Sequence, residues 1–320
     1  MPELLSNPPL GVIDAIKLLN IDLDKSIPKK TSKNLLIATW NIREFGDLTE
    51  EWSAKNDAVP KRDLESLLCI IEIIKRFDII AIQEVQDNIK CLRDTMNTLG
   101  DNWSFLMTDV TKGDKGGGER LAFIFNNKKV KLSGLACEIV IPEEQLKKEI
   151  SPDALDTQFA RTPYAVSFKV KDKTFVLLTL HVIYGEDTKD RIPELKAISK
   201  WIYEWAKDLK KWGHSLMALG DFNIDRKDDL AYKAFVGDKL FIPEDLNLED
   251  IKRTIFDKVS FYDQIAWFKN TSSEFQINLD YKKGGTYNFK DKVLTNRNYT
   301  DSQLSFRISD HLPLWAEFKV

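Results

Sequence analysis

Five stretches of this chain share one pattern, a short apolar run that meets a polar residue able to do chemistry. Four are continuous runs. Residues 35–43 close on Asn41-Ile42-Arg43, residues 78–85 on Gln83-Glu84-Val85, residues 175–181 on His181, and residues 216–223 on Asp221-Phe222-Asn223. Such runs predict strands buried on both faces. The fifth alternates: Leu312, Leu314, Ala316 and Phe318 recur every second residue behind Ser309-Asp310-His311, the pattern of a half-buried strand. Where strand ends converge, loops on a rigid scaffold carry function. A carboxylate and an imidazole at a strand mouth suit metal binding and proton transfer.

Helical periodicity falls between these runs. Residues 63–76 place Leu64, Leu67, Leu68, Ile71 and Ile74 on one face, and residues 89–99 read as a shorter helix. Residues 192–211 carry Ile198, Trp201, Ile202 and Trp205, an aromatic stripe that reads as core packing. Further strands are expected at 121–125, 261–268 and 312–318, and as a hairpin of 164–170 with 175–180. Residues 1–33 form a leader with helical spacing at 12–19, broken by Pro28-Lys29-Lys30. No Pro-, Gly- or Ser-rich linker divides the rest. The expectation is an α/β fold in which two packed sheets are flanked by helices, a four-layer αββα sandwich over residues 34–320.

Composition narrows the setting. The 320 residues are 43% hydrophobic, enough for a sizeable core, and no run is long enough to span a membrane. The net charge of −3 counts weakly against a broad nucleic-acid-binding face. Cys69, Cys91 and Cys137 are an odd set without CxxC spacing, so no disulfide framework is expected. The first residues lack the basic and apolar regions of a secretory signal. A cytoplasmic, membrane-free protein is expected; oligomeric state is not legible.

The ordered motifs Thr39-Trp40-Asn41-Ile42, Gln83-Glu84-Val85, Gly220-Asp221-Phe222-Asn223 and Ser309-Asp310-His311 resemble those of the endonuclease/exonuclease/phosphatase superfamily. Within it, Asn41-Ile42-Arg43-Glu44-Phe45-Gly46, residues 119–125, Phe159-Ala160-Arg161-Thr162-Pro163 and Tyr262-Asp263-Gln264-Ile265 resemble deoxyribonuclease I. The resemblance implies the αββα sandwich and a Mg²⁺-dependent phosphodiesterase, with Mn²⁺ or Ca²⁺ substituting or assisting. It also implies that Asp263 orients His311 and that Glu119 pairs with His181.

Elementary chemistry runs beside it. A phosphodiester repels nucleophiles, so an enzyme must neutralise the phosphate, activate water and stabilise the leaving alkoxide. Glu84 and Asp310, with the Asn41 amide oxygen, form the expected metal set, since Mg²⁺ takes hard oxygen ligands. His311 is the expected general base and His181 the acid or phosphate donor. Asp221 orients water or a second metal, and Asn223 donates to a phosphate oxygen. Arg161 and Arg43 are expected on phosphate oxygens, although for Arg43 a surface salt bridge explains the residue nearly as well. His214 reads as structural. The run Gly116-Gly117-Gly118 lacks the Lys-Ser/Thr ending of a nucleotide loop and reads as a flexible connection.

Three departures bear on substrate. Gln86 and Gly117 stand where deoxyribonuclease I has a groove-inserting Arg and a stacking Tyr. The connection 47–62 is longer than its counterpart, and the secreted enzyme's disulfides are missing. The expectation is a nuclease acting on DNA, with RNA open, through a substrate grip of its own. A phospholipid or inositol-phosphate phosphodiesterase is the first alternative. A non-catalytic nucleic-acid-binding module is the second.

Overall fold

A computed structural model describes residues 5–111, 117–140, 159, 161–185, 187–211, 215–237, 240–247, 254–256, 260–268 and 277–320. Lys115, Gly116, Ala160 and His214 lie outside the described residues. The first half runs α1 (Leu10–Ser26), β1 (Asn34–Phe45), α2 (Leu64–Ile74), β2 (Ile79–Val85), α3 (Lys90–Leu99), β3 (Trp103–Met107), β4 (Arg120–Asn126) and β5 (Lys131–Glu138). The second runs β6 (Tyr164–Val170), β7 (Lys173–His181), α4 (Thr188–Lys211), β8 (Ser215–Asp221), α5 (Leu230–Val236), β9 (Leu240–Phe241), β10 (Asp263–Phe268), β11 (Asp280–Thr286), α6 (Asp301–Ser305) and β12 (Leu314–Lys319).

These strands form two six-stranded sheets, ordered β11-β12-β1-β2-β4-β3 and β5-β6-β7-β8-β10-β9. Each is mixed: β1–β2 and β7–β8 are parallel and the other pairs antiparallel. The period of two in β1 explains the layering. Leu35 and Ile37 point into the core between the sheets, whereas Leu36, Ala38 and Trp40 point into a second core shared with α1, α2 and α3. On the far side, Leu195, Ile198, Ile202, Ala231 and Phe235 of α4 and α5 close the inter-sheet core's outer flank. Both faces of the central strands are thereby covered, which is why their sequences are continuously apolar. The result is the αββα sandwich expected.

The aromatic stripe of α4 packs as core, with the Trp201 and Trp205 rings 4.9 Å apart. The leader is not a loose arm: α1 runs to Ser26 and buries Leu19 and Leu23 in the sheet-one core. Asp63 N-caps α2 by accepting from Ser66 N at 2.9 Å. The sequence pattern misses β3, β5, β9 and β11, which lie at or beside sheet edges; β5 alternates between exposed and half-buried positions, so no continuous apolar run marks it. The last strand starts at Leu314 rather than Leu312, because Pro313 has no N–H for the ladder.

A buried polar bridge ties the sheets together. Gln83 Nε2 donates to Thr39 Oγ1 (3.1 Å) in its own sheet and to Thr179 Oγ1 (2.9 Å) across the interface. All three are fully buried, so the register between sheets is costly to change.

Candidate active site

The candidate residues meet because strand register and direction put them at one end of the sandwich. In sheet two, β7 and β8 pair Leu180 with Gly220 and His181 with Asp221, and β10 pairs Asp263 with that same Asp221. Three chemical residues thus stand abreast on three adjacent strands. Gly220 permits the approach: its φ is +148°, and a Cβ there would sit 2.1 Å from Leu180 O. In sheet one, Asn41 pairs with Gln83, after which the ladder slips between Asn41 and Phe45 and, on the other side of β2, between Ile82 and Val85. These irregularities bracket Glu84, whose φ of 62° is left-handed. A bulge of this kind re-aims a side chain at a sheet end. Asp310 and His311 enter from the segment before β12. Trp40 Nε1 donates to His311 O (2.8 Å), and Ser309 Oγ donates to Asn41 O (2.7 Å) while accepting from His311 N (3.0 Å).

Asp221 is the centre of the arrangement. Its Oδ2 lies 3.6 Å from His181 Nε2 and 3.7 Å from His311 Nε2, longer than a direct hydrogen bond. It also accepts from Asn41 Nδ2 at 3.0 Å. Each imidazole has a carboxylate behind it. His311 Nδ1 lies 2.9 Å from Asp263 Oδ2. His181 Nδ1 lies 2.9 Å from Glu119 Oε2. Arg161 braces Glu119 through Nε to Oε2 (2.7 Å) and Nη2 to Oε1 (3.3 Å).

The charges follow from burial and neighbours. Burial works against the His311 cation, yet Asp263, Asp221 and Asp310 outweigh it and raise the imidazole to about 10. Burial also pushes the Asp263 carboxyl up, to about 6, against the pull of His311. Asp221 goes the other way: burial opposes its charge, but His311, His181, the Asn41 amide and the Asn223 N–H hold it below the usual carboxylate range. Burial likewise opposes the Glu119 charge, and His181 and Arg161 hold that carboxyl low.

The donor set suits a hard cation. Asn41 gives its Nδ2 to Glu84 Oε1 (3.0 Å) and to Asp221, which leaves its Oδ1 buried and without a hydrogen-bond partner. Such an orphaned acceptor among carboxylates is what a divalent ion satisfies. Ligand atoms of Glu84, Glu119 and His181 lie within 4.8 Å of one another, as do those of Asp221, Asp263 and His311. Asp310 belongs to neither cluster; its carboxylate faces Arg43 Nη1 at 3.6 Å. Arg43 also donates to Ser305 Oγ (3.0 Å) and stacks on Phe306, so it forms the salt bridge weighed for it from sequence. Asn223 has a left-handed φ of 51° and commits one carboxamide hydrogen to Val182 O at 2.7 Å.

Further residues complete the site. Arg62 lies beneath the end of β1 and donates to the backbone carbonyls of Arg43, Glu44, Arg307 and Ile308, with the Cys91 thiol a further partner. Tyr262 sits 6.0 Å from the His311 ring and meets Tyr184 edge-on, with the Arg191 guanidinium 4.4 Å over Tyr184. Gly117, φ +67°, is more than a vacancy in the grip: a Cβ there would lie 2.8 Å from Glu119 Oε1. This backbone cannot accept a stacking tyrosine without displacing the carboxylate behind His181.

Known proteins share this sequence and frame. No family model matches the chain. A deoxyribonuclease from Thioalkalivibrio sp. (strain K90mix) is 28% identical over 209 residues, 63% of this chain and 50% of that protein. Deoxyribonuclease-1 of Oryctolagus cuniculus is 27% identical over 219 residues, 65% of this chain and 68% of that protein. The chain therefore spans only half the length of the bacterial relative. The crystal structure of an endonuclease/exonuclease/phosphatase family protein from Bacteroides thetaiotaomicron superposes with a TM-score of 0.56 at 19% identity, covering 89% of this chain and 97% of that one. The chain resembles deoxyribonuclease I in sequence and has the endonuclease/exonuclease/phosphatase fold.

Proposed function

We propose that this protein is a Mg²⁺-dependent nuclease that hydrolyses phosphodiesters of DNA, with RNA as a further substrate. The observation that supports this most is the Asp221 carboxylate standing between two imidazoles, each backed by its own carboxylate. Glu84, Asp310 and the Asn41 Oδ1 are the residues proposed to hold the ion, which supplies the charge that offsets the phosphate; Mn²⁺ or Ca²⁺ would substitute or assist. His311, oriented by Asp263, takes the proton of the attacking water. His181, backed by Glu119, donates on the other side of Asp221. Arg161 and Arg43 are held by Glu119 and Asp310 and face the phosphate already oriented. The remaining Asn223 carboxamide hydrogen serves a non-bridging oxygen.

Among the described residues, no helix is long and apolar enough to cross a membrane. The reading places the protein in the cytoplasm, where Cys69, Cys91 and Cys137, all unpaired, stay reduced.

Supercoiled plasmid is the substrate for the test, run beside sphingomyelin and inositol phosphates. Nicking that requires Mg²⁺ and stops in EDTA is expected. Lipid or inositol-phosphate turnover without nicking would overturn the nuclease reading, and undiminished rates in demetallated protein would overturn the metal. Gly117→Tyr is expected to reduce nicking rather than restore a stronger duplex grip, because the new side chain displaces Glu119. A Gly117→Tyr variant that nicks duplex faster than wild type would contradict that geometry.

A further inference from the structure

Beside Glu84 the structure has a cavity, outside the cluster of imidazoles and carboxylates. It measures 440 Å³, within the range of small-ligand clefts. Its walls come from the end of β1 and the turn after it (Glu44, Asp47), from the residues after β2 (Gln86, Asn88), from Phe306, and from Val59, Pro60, Lys61 and Arg62 of the 47–62 connection. We propose that this cavity is a nucleobase subsite, which receives one unpaired base of the strand whose phosphate lies at Glu84 and Asp310. The proposal rests on the nuclease reading above.

Continuity with the site comes first. Glu44 lines the cavity, and its backbone N donates to Glu84 Oε2 at 2.9 Å. Gln86 lines it two residues beyond Glu84 and donates from Nε2 to Glu84 O at 3.3 Å. Phe306 carries the Arg43 guanidinium 3.7 Å over its ring, and Arg43 faces Asp310. A group in the cavity is therefore a near neighbour of one at the proposed metal ligands.

The chemistry of the walls selects the occupant. Glu44 and Asp47 are balanced by Lys61 and Arg62, so the walls carry no excess positive charge that would draw a phosphate in ahead of a base. Val59, Pro60 and Phe306 offer apolar surface to a flat ring, and Val59 is 87% exposed, unusual for a large aliphatic residue. The carboxamides of Gln86 and Asn88 and the two carboxylates match base edges, where amides pair with adenine and carboxylates accept from cytosine amines. A planar, uncharged, amphipathic group fits all of these walls. A duplex does not fit a space of this size, which singles out a single-stranded or flipped base.

The cavity is also built to last. Its outer wall belongs to the 47–62 connection, which three arginines fasten to the body. Arg62 binds the carbonyls beneath it, Arg297 donates to Trp52 O (2.6 Å), Asp63 and Glu65, and Arg307 donates to Lys61 O and Lys55 O. An exposed valine at the tip of a segment pinned this way is held in place to meet something.

The test uses single-stranded oligonucleotides with one abasic residue stepped through the positions around the cleavage point, and bis(p-nitrophenyl) phosphate as a base-free diester. A stacked base is worth a factor of about 5–150, from about 1–3 kcal/mol per base. In wild type, kcat/KM is expected to fall by that factor at one abasic position only. Val59→Asp and Asn88→Ala, both outside the proposed catalytic and metal-holding residues, are expected to lower kcat/KM on the intact strand, to lose the penalty at that position, and to leave the base-free diester unchanged. Hydrolysis of the base-free diester with no position-specific penalty in wild type overturns the subsite and leaves the phosphodiesterase reading standing. So does a penalty that persists undiminished in both variants. Hydrolysis of neither substrate overturns the function itself, and the subsite with it.

Discussion

His311→Ala is expected to lower turnover on plasmid DNA by about 10²–10⁴-fold, the range a positioned acid–base group contributes, in protein that stays folded. Two features support a loss this large. The imidazole is buried, so no bulk water takes over its proton, and its Nδ1 is fixed by Asp263 at 2.9 Å. The backbone carrying it is held independently of the ring, by Trp40 Nε1 on His311 O and by Ser309 Oγ on His311 N. Truncation therefore removes the proton carrier without releasing the segment. Removal of a buried cation does leave Asp263 and Asp221 facing each other, and some rise in the Asp263 carboxyl's proton affinity follows. Asp263→Asn is expected to cost less, since the imidazole remains and only its orientation and charge change. Steady-state nicking rates on variants with wild-type circular dichroism check both. A His311→Ala protein that is folded and turns over at near wild-type rate would remove His311 from the mechanism.

Much of this site was legible because its residues sit at the ends of strands that announce themselves. Asn41, Glu84, His181 and Asp221 each close a continuous apolar run, and burial on both faces of the central strands is what makes such runs continuous. Glu119 and Asp263 were not legible in that way. Glu119 stands just before a strand and Asp263 begins one, positions that a loop charge or turn residue fills as readily, and only the resemblance paired them with the two imidazoles. The row His181–Asp221–Asp263 depends on β7, β8 and β10 being neighbours, and no local pattern encodes which strands pair. The strands the sequence missed have a common cause too. β5 and β11 are largely exposed or half-buried, and β11 reads Asp-Tyr-Lys-Lys-Gly-Gly-Thr, with lysines that suit an edge and no hydrophobic period.

Arg62 was invisible for a different reason, and its removal is the second large effect expected. The guanidinium is 2% exposed and makes no ion pair that a charge pattern would reveal. Its donors go to Arg43 O (2.6 Å), Glu44 O (2.7 Å), Arg307 O (3.0 Å) and Ile308 O (3.1 Å). Two of these carbonyls belong to the end of β1, the strand carrying Asn41 and Arg43, and two to the segment leading into Asp310 and His311. One side chain thus fixes the distance between the two halves of the proposed metal and phosphate site. A buried polar group stripped of its partner costs about 1–3 kcal/mol. Arg62→Ala strands up to four, so a loss of at least about 3 kcal/mol is expected, a large share of the roughly 5–15 kcal/mol that holds a domain folded. Arg62→Lys keeps the charge but replaces a planar fork by a compact ammonium that cannot span all four carbonyls. It is expected to fold, to unfold at lower denaturant, and to need several-fold more Mg²⁺ for half-maximal activity, because Asn41 and Asp310 are no longer held in register. Loss of stability alone does not move that midpoint in folded protein, so the Mg²⁺ titration separates positioning from support. Arg62→Lys with unchanged stability and an unchanged Mg²⁺ midpoint would show that other contacts, Ser309 Oγ on Asn41 O first among them, set the geometry by themselves.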